Sequence, residues 1–200
     1  LASEKIVFEH PVNGGLATSL AWFDLRDKNR AYLDPDAPPG TPYYLNAGEI
    51  KSTGWEMEIS GKPMRGLDVM AGYTYLSTRC LKDATNEGKP YSIFSPRHQL
   101  KLWSNYRFGG DSFLGRVSIG LGMQAQGAAQ STRGQRDLIV NSGYAVFNGR
   151  IAYEIDRHYS LSLNVNNVFD RKYYASVGTT NTYNFYGEPR SFMLTLRASY

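Results

Sequence analysis

The side chains best equipped for chemistry in this sequence are aromatics and arginines lying between stretches of alternating apolar residues. They are Tyr43 and Tyr44, Tyr91 and Phe94, Arg133 and Arg136, and Tyr183, Phe185 and Tyr186. Aromatic faces bind flat chelating groups, and Arg attracts anionic complexes, so the chemistry offered is recognition rather than bond making. The same residues can also pack loops against one another, and the sequence leaves both uses open. Signatures of covalent chemistry are missing. There is no Gly-x-Ser-x-Gly elbow. Gly120-Leu121-Gly122 falls in an alternating stretch and reads as small residues on one strand face, not as a nucleotide loop. His10, His98 and His158 are far apart in sequence and near strand ends; they could meet in space, but their spacing is not that of metal ligands. Cys80 is the one cysteine, so no internal disulfide forms; it reads as an incidental free thiol, the other reading being a partner cysteine outside this segment.

The elements that would position those residues have a period of two. Phe192, Leu194, Leu196, Ala198 and Tyr200 alternate with Ser191, Met193, Thr195, Arg197 and Ser199. Tyr159, Leu161, Leu163 and Val165 alternate with Ser160, Ser162, Asn164 and Asn166. The pattern extends to nine expected strands, over 1–9, 15–26, 49–60, 66–77, 97–108, 113–125, 143–155, 158–169 and 190–200. These strands reach roughly 10–13 residues, where soluble strands average about 5–6. Their connections alternate in length. Short turns are expected at Pro11-Val12-Asn13-Gly14, Gly61-Lys62-Pro63-Met64-Arg65, Gly109-Gly110-Asp111 and Asp156-Arg157, and long loops at 27–48, 78–96, 126–142 and 170–189. Outer-membrane barrels have this asymmetry, and a soluble sandwich has no reason to gather every long loop at one end.

Composition agrees. No stretch approaches the roughly 18 apolar residues of a membrane helix, but a barrel strand needs only about 9–11 alternating ones, and a mean hydropathy of −0.43 is compatible with that. The net charge of +4 is spread among acidic neighbours, as in Asp24-Leu25-Arg26-Asp27-Lys28, without a basic helix or zinc spacing, so nucleic acid is not the expected partner. Glu56, Glu58, Asp68, Lys101, Arg107, Arg116, Arg150, Glu154 and Arg197 share the polar face and would point into the lumen. Trp22, Trp55, Tyr73, Tyr75, Tyr153, Tyr159 and Tyr200 near strand ends suit interfacial girdles, and plain strand propensity explains them as well. The fold class expected is all-β, an antiparallel transmembrane β-barrel meander. Leu1-Ala2-Ser3-Glu4-Lys5 carries no leader signature and reads as the interior of a longer chain.

Four motifs then carry a family resemblance. Asn46-Ala47-Gly48-Glu49-Ile50-Lys51-Ser52-Thr53-Gly54-Trp55-Glu56-Met57-Glu58 resembles a small-x-Gly-x-Glu strand of TonB-dependent receptors. Ser95-Pro96-Arg97-His98 is similar to the Pro-Arg-His opening of a later strand, and Asn167-Val168-Phe169-Asp170-Arg171-Lys172-Tyr173-Tyr174 to the Asn-(Leu/Val)-Phe-Asp-x-x-Tyr-Tyr signature. Asn184-Phe185-Tyr186-Gly187-Glu188-Pro189-Arg190 before an alternating strand resembles the end of the siderophore branch, near the ferric-pyoverdine, coprogen and ferrioxamine receptors. The four occur in the family's order and cover nearly the whole chain.

The resemblance implies that residues 1–200 are the C-terminal portion of a barrel of about 22 strands whose plug domain lies outside this sequence. It implies a receptor and transporter in the bacterial outer membrane, not an enzyme, energised by the TonB complex through an N-terminal part. Ferric iron would arrive as a siderophore complex, with no cofactor or metal bound directly. The loop residues named at the outset would touch that chelate. Outer-membrane lipid, lipopolysaccharide and the barrel assembly machinery would be further partners, the last reading Phe192 and the terminal Tyr200, where the family usually ends in Phe or Trp. A passive pore or small adhesin barrel, a receptor for haem or cobalamin, an outer-membrane lipase or protease and a soluble lectin-like sandwich are the rival readings. Within the resemblance Gly54 would allow close approach or a bulge in a strand, and Asn167 and Asp170 would bond backbone where strand becomes loop.

Overall fold

The computed structural model describes residues 2–12, 15–34, 36, 38, 40, 43–84, 87–91, 95–131, 139–178 and 183–199. Phe94, Arg133, Arg136 and Tyr200, expected to contact ligand or to signal assembly, lie outside the described residues. Thirteen strands follow in chain order among the described residues. They are β1 (Ala2–Val12), β2 (Leu16–Leu33), β3 (Tyr44–Met64), β4 (Leu67–Lys82), β5 (His98–Arg107), β6 (Val117–Gln126), β7 (Ala129–Ser131), β8 (Ile139–Asn141), β9 (Tyr144–Glu154), β10 (Tyr159–Asn166), β11 (Tyr174–Ser176), β12 (Phe185–Tyr186) and β13 (Ser191–Ala198). Nine of them form one sheet in the order β1-β2-β3-β4-β5-β6-β9-β10-β13, all antiparallel, with β1 and β13 at its edges. β7 with β8 and β11 with β12 are small hairpins within two of the long loops.

The register turns alternation in sequence into two chemically different faces. Leu194, Leu163, Ile151, Ile119, Tyr106 and Leu67 are paired one to the next across six strands. One residue along, Met193, Asn164, Arg150, Gly120, Asn105 and Asp68 pair in the same order. A slip of one residue in any strand would exchange the faces, so the pattern pins the register. On the apolar face large side chains stand in the open: Leu121 is 62% exposed and Leu194 68%. Every described residue of the nine-stranded sheet that is buried (Ala21, Gly48, Ile50, Gly54, Cys80, Gly120, Gly122, Tyr144 and Val146) belongs to the polar face. In a curling sheet, side chains crowd on the concave side, so the polar face is the inner one.

Small residues let bulky ones lie flat against that inner wall. A Cβ on Gly120 or Gly122 would come within 2.7 Å of the Trp103 ring, and one on Gly54 within 2.6 Å of the Phe23 ring. The glycines therefore make space for aromatic faces, as expected for Gly54. The inner wall also carries an ion pair between Arg107 and Glu154.

Aromatics ring the outer face at two levels. Ile6, Trp22, Trp55, Tyr75 and His98 are paired in one row, with Tyr73 packed on Trp55 at 4.8 Å. Tyr106 with Phe108, Phe113 with Tyr153, and Tyr159 mark the other level. Tyr75 stands eight residues along β4 from Leu67, the partner of Tyr106. At about 3.3 Å per residue and a tilt of about 40°, the belts are about 20 Å apart.

Several expected boundaries shift. The loop expected over 27–48 narrows to 34–43, because β2 and β3 stay paired beyond the aromatic belt. Asn29, at φ 59, is the bulge that carries β2 past the irregularity. β3 runs on to Met64 with a register shift after Gly61, so the turn is Arg65-Gly66. Phe113–Arg116 is a short 3-10 helix and not the start of β6. Arg116 consequently sits in a turn instead of the strand, and it donates to the Ile155 carbonyl at 2.9 Å, tying two neighbouring turns together.

Candidate functional site

The long connections all leave one end of the sheet, and the described candidate recognition residues collect there. Tyr43 and Tyr44 stand at the tip of the β2–β3 hairpin, both exposed, with Tyr44 opening β3 opposite Leu33. The hairpin closes through Asp34 N–H donating to the Tyr43 carbonyl at 2.8 Å. Tyr91, in the β4–β5 loop, lies under the Arg30 guanidinium at 4.5 Å, a cation–π contact joining this loop to β2. Tyr183, Phe185 and Tyr186 come together on the β10–β13 loop, and all three are exposed, Tyr186 by 72%.

That last loop is the most organised part of the rim, and Asn167 organises it. At the end of β10 its side chain is 2% exposed. Its amide nitrogen donates to the carbonyls of Arg171 (2.9 Å) and Glu188 (3.0 Å), and its amide oxygen accepts from Arg171 N–H (2.8 Å). Its own N–H donates to Asn148 Oδ1 on β9 at 2.9 Å. Asp170 adds a second clasp, its carboxylate accepting from Arg190 N–H at 3.0 Å. Both residues have positive φ, 50° and 51°, a conformation that Asn and Asp enter more readily than other non-glycine residues. The two thus gather the beginning and end of an otherwise long loop, in the backbone-bonding role expected of them.

The clasp delivers an aromatic column. Tyr144, buried at the start of β9, packs on Tyr173 with ring centres 4.1 Å apart. Gly187 also lies against Tyr173; a Cβ there would fall 1.9 Å from the ring. Next along the chain, Tyr174 stacks on Tyr186 at 4.5 Å and 24°, their hydroxyls 2.9 Å apart. The shared hydrogen bond, the neighbouring phenol's charge and then desolvation hold the Tyr174 phenol above its ordinary pKa, so it stays neutral and polar. Asn141 on β8 donates to the Tyr174 carbonyl at 2.9 Å, bracing this hairpin on its neighbour. Tyr144, Tyr173 and Tyr174 were not among the residues expected at the site. The Tyr-Tyr pair of the signature motif was the signal for two of them. Tyr144 reads in sequence as an ordinary strand residue.

Of the histidines, His98 Nδ1 lies 2.6 Å from the Tyr73 hydroxyl on the outer face, and His158 Nδ1 lies 2.9 Å from the Ser199 carbonyl at the opposite end. The His10 side chain lies outside the described residues. What the arrangement can do is present aromatic faces, phenol hydroxyls and an arginine at the loop end of a curved wall with a polar inner face. That defines a class: a β-barrel wall carrying a recognition rim.

Known proteins agree with this class and narrow it. Residues 7–168 match the model of the TonB dependent receptor-like β-barrel family. The chain belongs to that family. The ferric-pyoverdine receptor PbuA of a Pseudomonas strain is 39% identical over 191 residues, 94% of this chain and 23% of the relative. The ferripyoverdine receptor of Pseudomonas aeruginosa is 33% identical over 196 residues, 93% of this chain and 23% of the relative. The solved structure of Pseudomonas aeruginosa FpvA with a heterologous ferric pyoverdine superposes with a TM-score of 0.83 at 31% identity, over 98% of this chain and 27% of that one. The chain thus spans about a quarter of the length of the relatives it matches.

Proposed function

We propose that this chain is the C-terminal barrel portion of an outer-membrane receptor that takes up a ferric siderophore with energy from TonB. The observation that carries the proposal is the conjunction of an open apolar outer face, bounded by two aromatic belts, with the Asn167-clasped aromatic rim at its loop end. The first makes sense in hydrocarbon, the second toward a ligand outside it. The two relatives above are named for ferric pyoverdine, a chelate of this class, which supports the assignment.

In this reading the role is binding and passage, with no covalent step. Iron stays in its chelator, so the wall needs no metal ligands of its own. Tyr174, Tyr186 and Phe185 offer ring faces to the chelate's flat groups, Tyr43, Tyr44, Tyr91 and Tyr183 add to the described loop surface, and Phe94, Arg133 and Arg136 are proposed as further contacts from the sequence alone. The plug and the TonB-contacting segment would belong to the longer protein. Outer-leaflet lipid, lipopolysaccharide and the barrel assembly machinery are proposed partners of the wall. The test is growth. The full-length receptor should support iron-starved cells on a ferric siderophore, and only when TonB is present. Equal growth without TonB would show a passive pore instead.

A further inference from the structure

Above the upper aromatic belt the outer face changes character abruptly. Two residues beyond Trp22, Trp55 and Tyr75 the paired row is Asp24, Thr53 and Ser77, with Glu4 opposite Asp24 on β1. Two residues further it is Arg26, Lys51 and Arg79, directly paired across β2, β3 and β4. Like charges placed directly opposite one another destabilise a sheet, so three cations in one row call for counter-charge. The protein supplies only part of it. Asp24 takes Lys51 at 2.8 Å and Arg26 more loosely at 3.9 Å. Among the described residues no ion pair involves Arg79, which is exposed. Glu4 stands on β1, at the far side of the row from Arg79. In the next row Lys28 pairs with Glu49, which Lys82 already holds at 3.7 Å. The excess positive charge is therefore concentrated over β3 and β4.

We infer that Arg26, Lys51 and Arg79 form a binding site on the outer wall for the phosphorylated headgroup of an outer-leaflet lipid. The inference rests on the membrane reading above. Position supports it. Arg26 lies four residues beyond Trp22, about 10 Å higher at about 3.3 Å per residue and a tilt of about 40°, which is where a headgroup begins. Spacing supports it as well. With strands about 4.8 Å apart, the three cations span about 10 Å, enough for a headgroup bearing two phosphates rather than one. The asymmetry of the face is a third support. At the turn end the same face closes in Tyr106, Phe113, Tyr153 and Tyr159, with no such row among the described residues.

The test uses the full-length receptor in lipid nanodiscs, with native mass spectrometry reading bound lipid. The probes are a diphosphoryl glycolipid, its monophosphoryl form, phosphatidylcholine and inorganic phosphate. The diphosphoryl form should bind most tightly, and Arg26→Gln/Lys51→Gln/Arg79→Gln should weaken it by about tenfold or more, given the worth of each base near an anionic surface. Lys62→Gln, at the turn end, should change nothing, and heat-modifiable migration should show both variants folded. Unchanged diphosphoryl binding in the triple variant would overturn the inference. So would equal binding of the two glycolipids, or displacement of the lipid by millimolar inorganic phosphate. If the wild-type receptor gathers no annular lipid at all, the membrane reading itself fails. If phosphatidylcholine decorates both proteins alike and the phosphate preference is missing, only this site fails.

Discussion

Replacing Asn167 by alanine should unfasten the last loop while leaving the barrel wall standing. The wild-type side chain makes three hydrogen bonds, to Arg171 N–H and to the Arg171 and Glu188 carbonyls, from a position 2% exposed. At about 1 kcal/mol net for each, their loss costs about 3 kcal/mol. Alanine must also hold φ near 50°, where it lacks asparagine's tolerance, for about 1 kcal/mol more. The total of about 4 kcal/mol is about a thousandfold in the loop's opening equilibrium, capped by whatever stability the loop has. Hydrogen exchange in the full-length receptor reads this directly. The amides of Arg171 and Gly187 should lose protection in Asn167→Ala, whereas Leu163 and Ile151 in the sheet should keep theirs. Binding of a ferric chelate should weaken alongside, since Phe185 and Tyr186 ride on the loop. Unchanged protection at Arg171 and Gly187 would refute the clasp.

Other outcomes follow from the same contacts. Tyr174→Ala and Tyr186→Ala should each weaken chelate binding by on the order of 1 kcal/mol, read by titration calorimetry, while Tyr153→Ala, at the opposite end of β9, should leave it unchanged. Asp156 accepts from the N–H groups of His158 (2.7 Å) and Tyr159 (2.8 Å), and these bonds hold its carboxylate below the ordinary range. A depressed folded-state pKa gives stability that is full above the ordinary carboxylate value, near 4, and is lost as pH falls through the lowered one. Amide protection at Tyr159 should therefore drop in strong acid, and Asp156→Asn should flatten that dependence. Phe192→Ala and Tyr200→Ala should lower the amount of heat-modifiable folded receptor in the membrane, with Tyr200→Phe neutral.

Much of the wall was readable from residue order because its physics is local. Leu161, Leu163 and Val165 against Ser160, Ser162 and Asn164 fix which way each side chain points before any partner strand is known. Where that pattern fades, the reading failed. Lys28, Asn29 and Arg30 are polar on both faces, so nothing in them announces that β2 continues to Leu33. Phe113, Gly115 and Val117 keep the strand period through a 3-10 turn that only the structure distinguishes. The hairpins at 129–141 and 174–186 have strands too short for a period to show. The rim divides in the same way. Asn167 and Asp170 were legible as backbone-bonding residues because asparagine and aspartate do that wherever chain direction changes. The packing of Tyr144 on Tyr173 joins residues 29 positions apart, a separation that no local period in the sequence spans.

The central claim is that this wall and rim belong to a receptor for a ferric siderophore. Its most direct test is equilibrium binding to the purified full-length receptor, followed by intrinsic fluorescence, with a panel of ferric siderophores, haem and cobalamin. At least one ferric siderophore should bind saturably, and deleting residues 170–189 should markedly reduce that binding with the barrel still folded. Binding of haem or cobalamin alone, or of none of the panel, would contradict it.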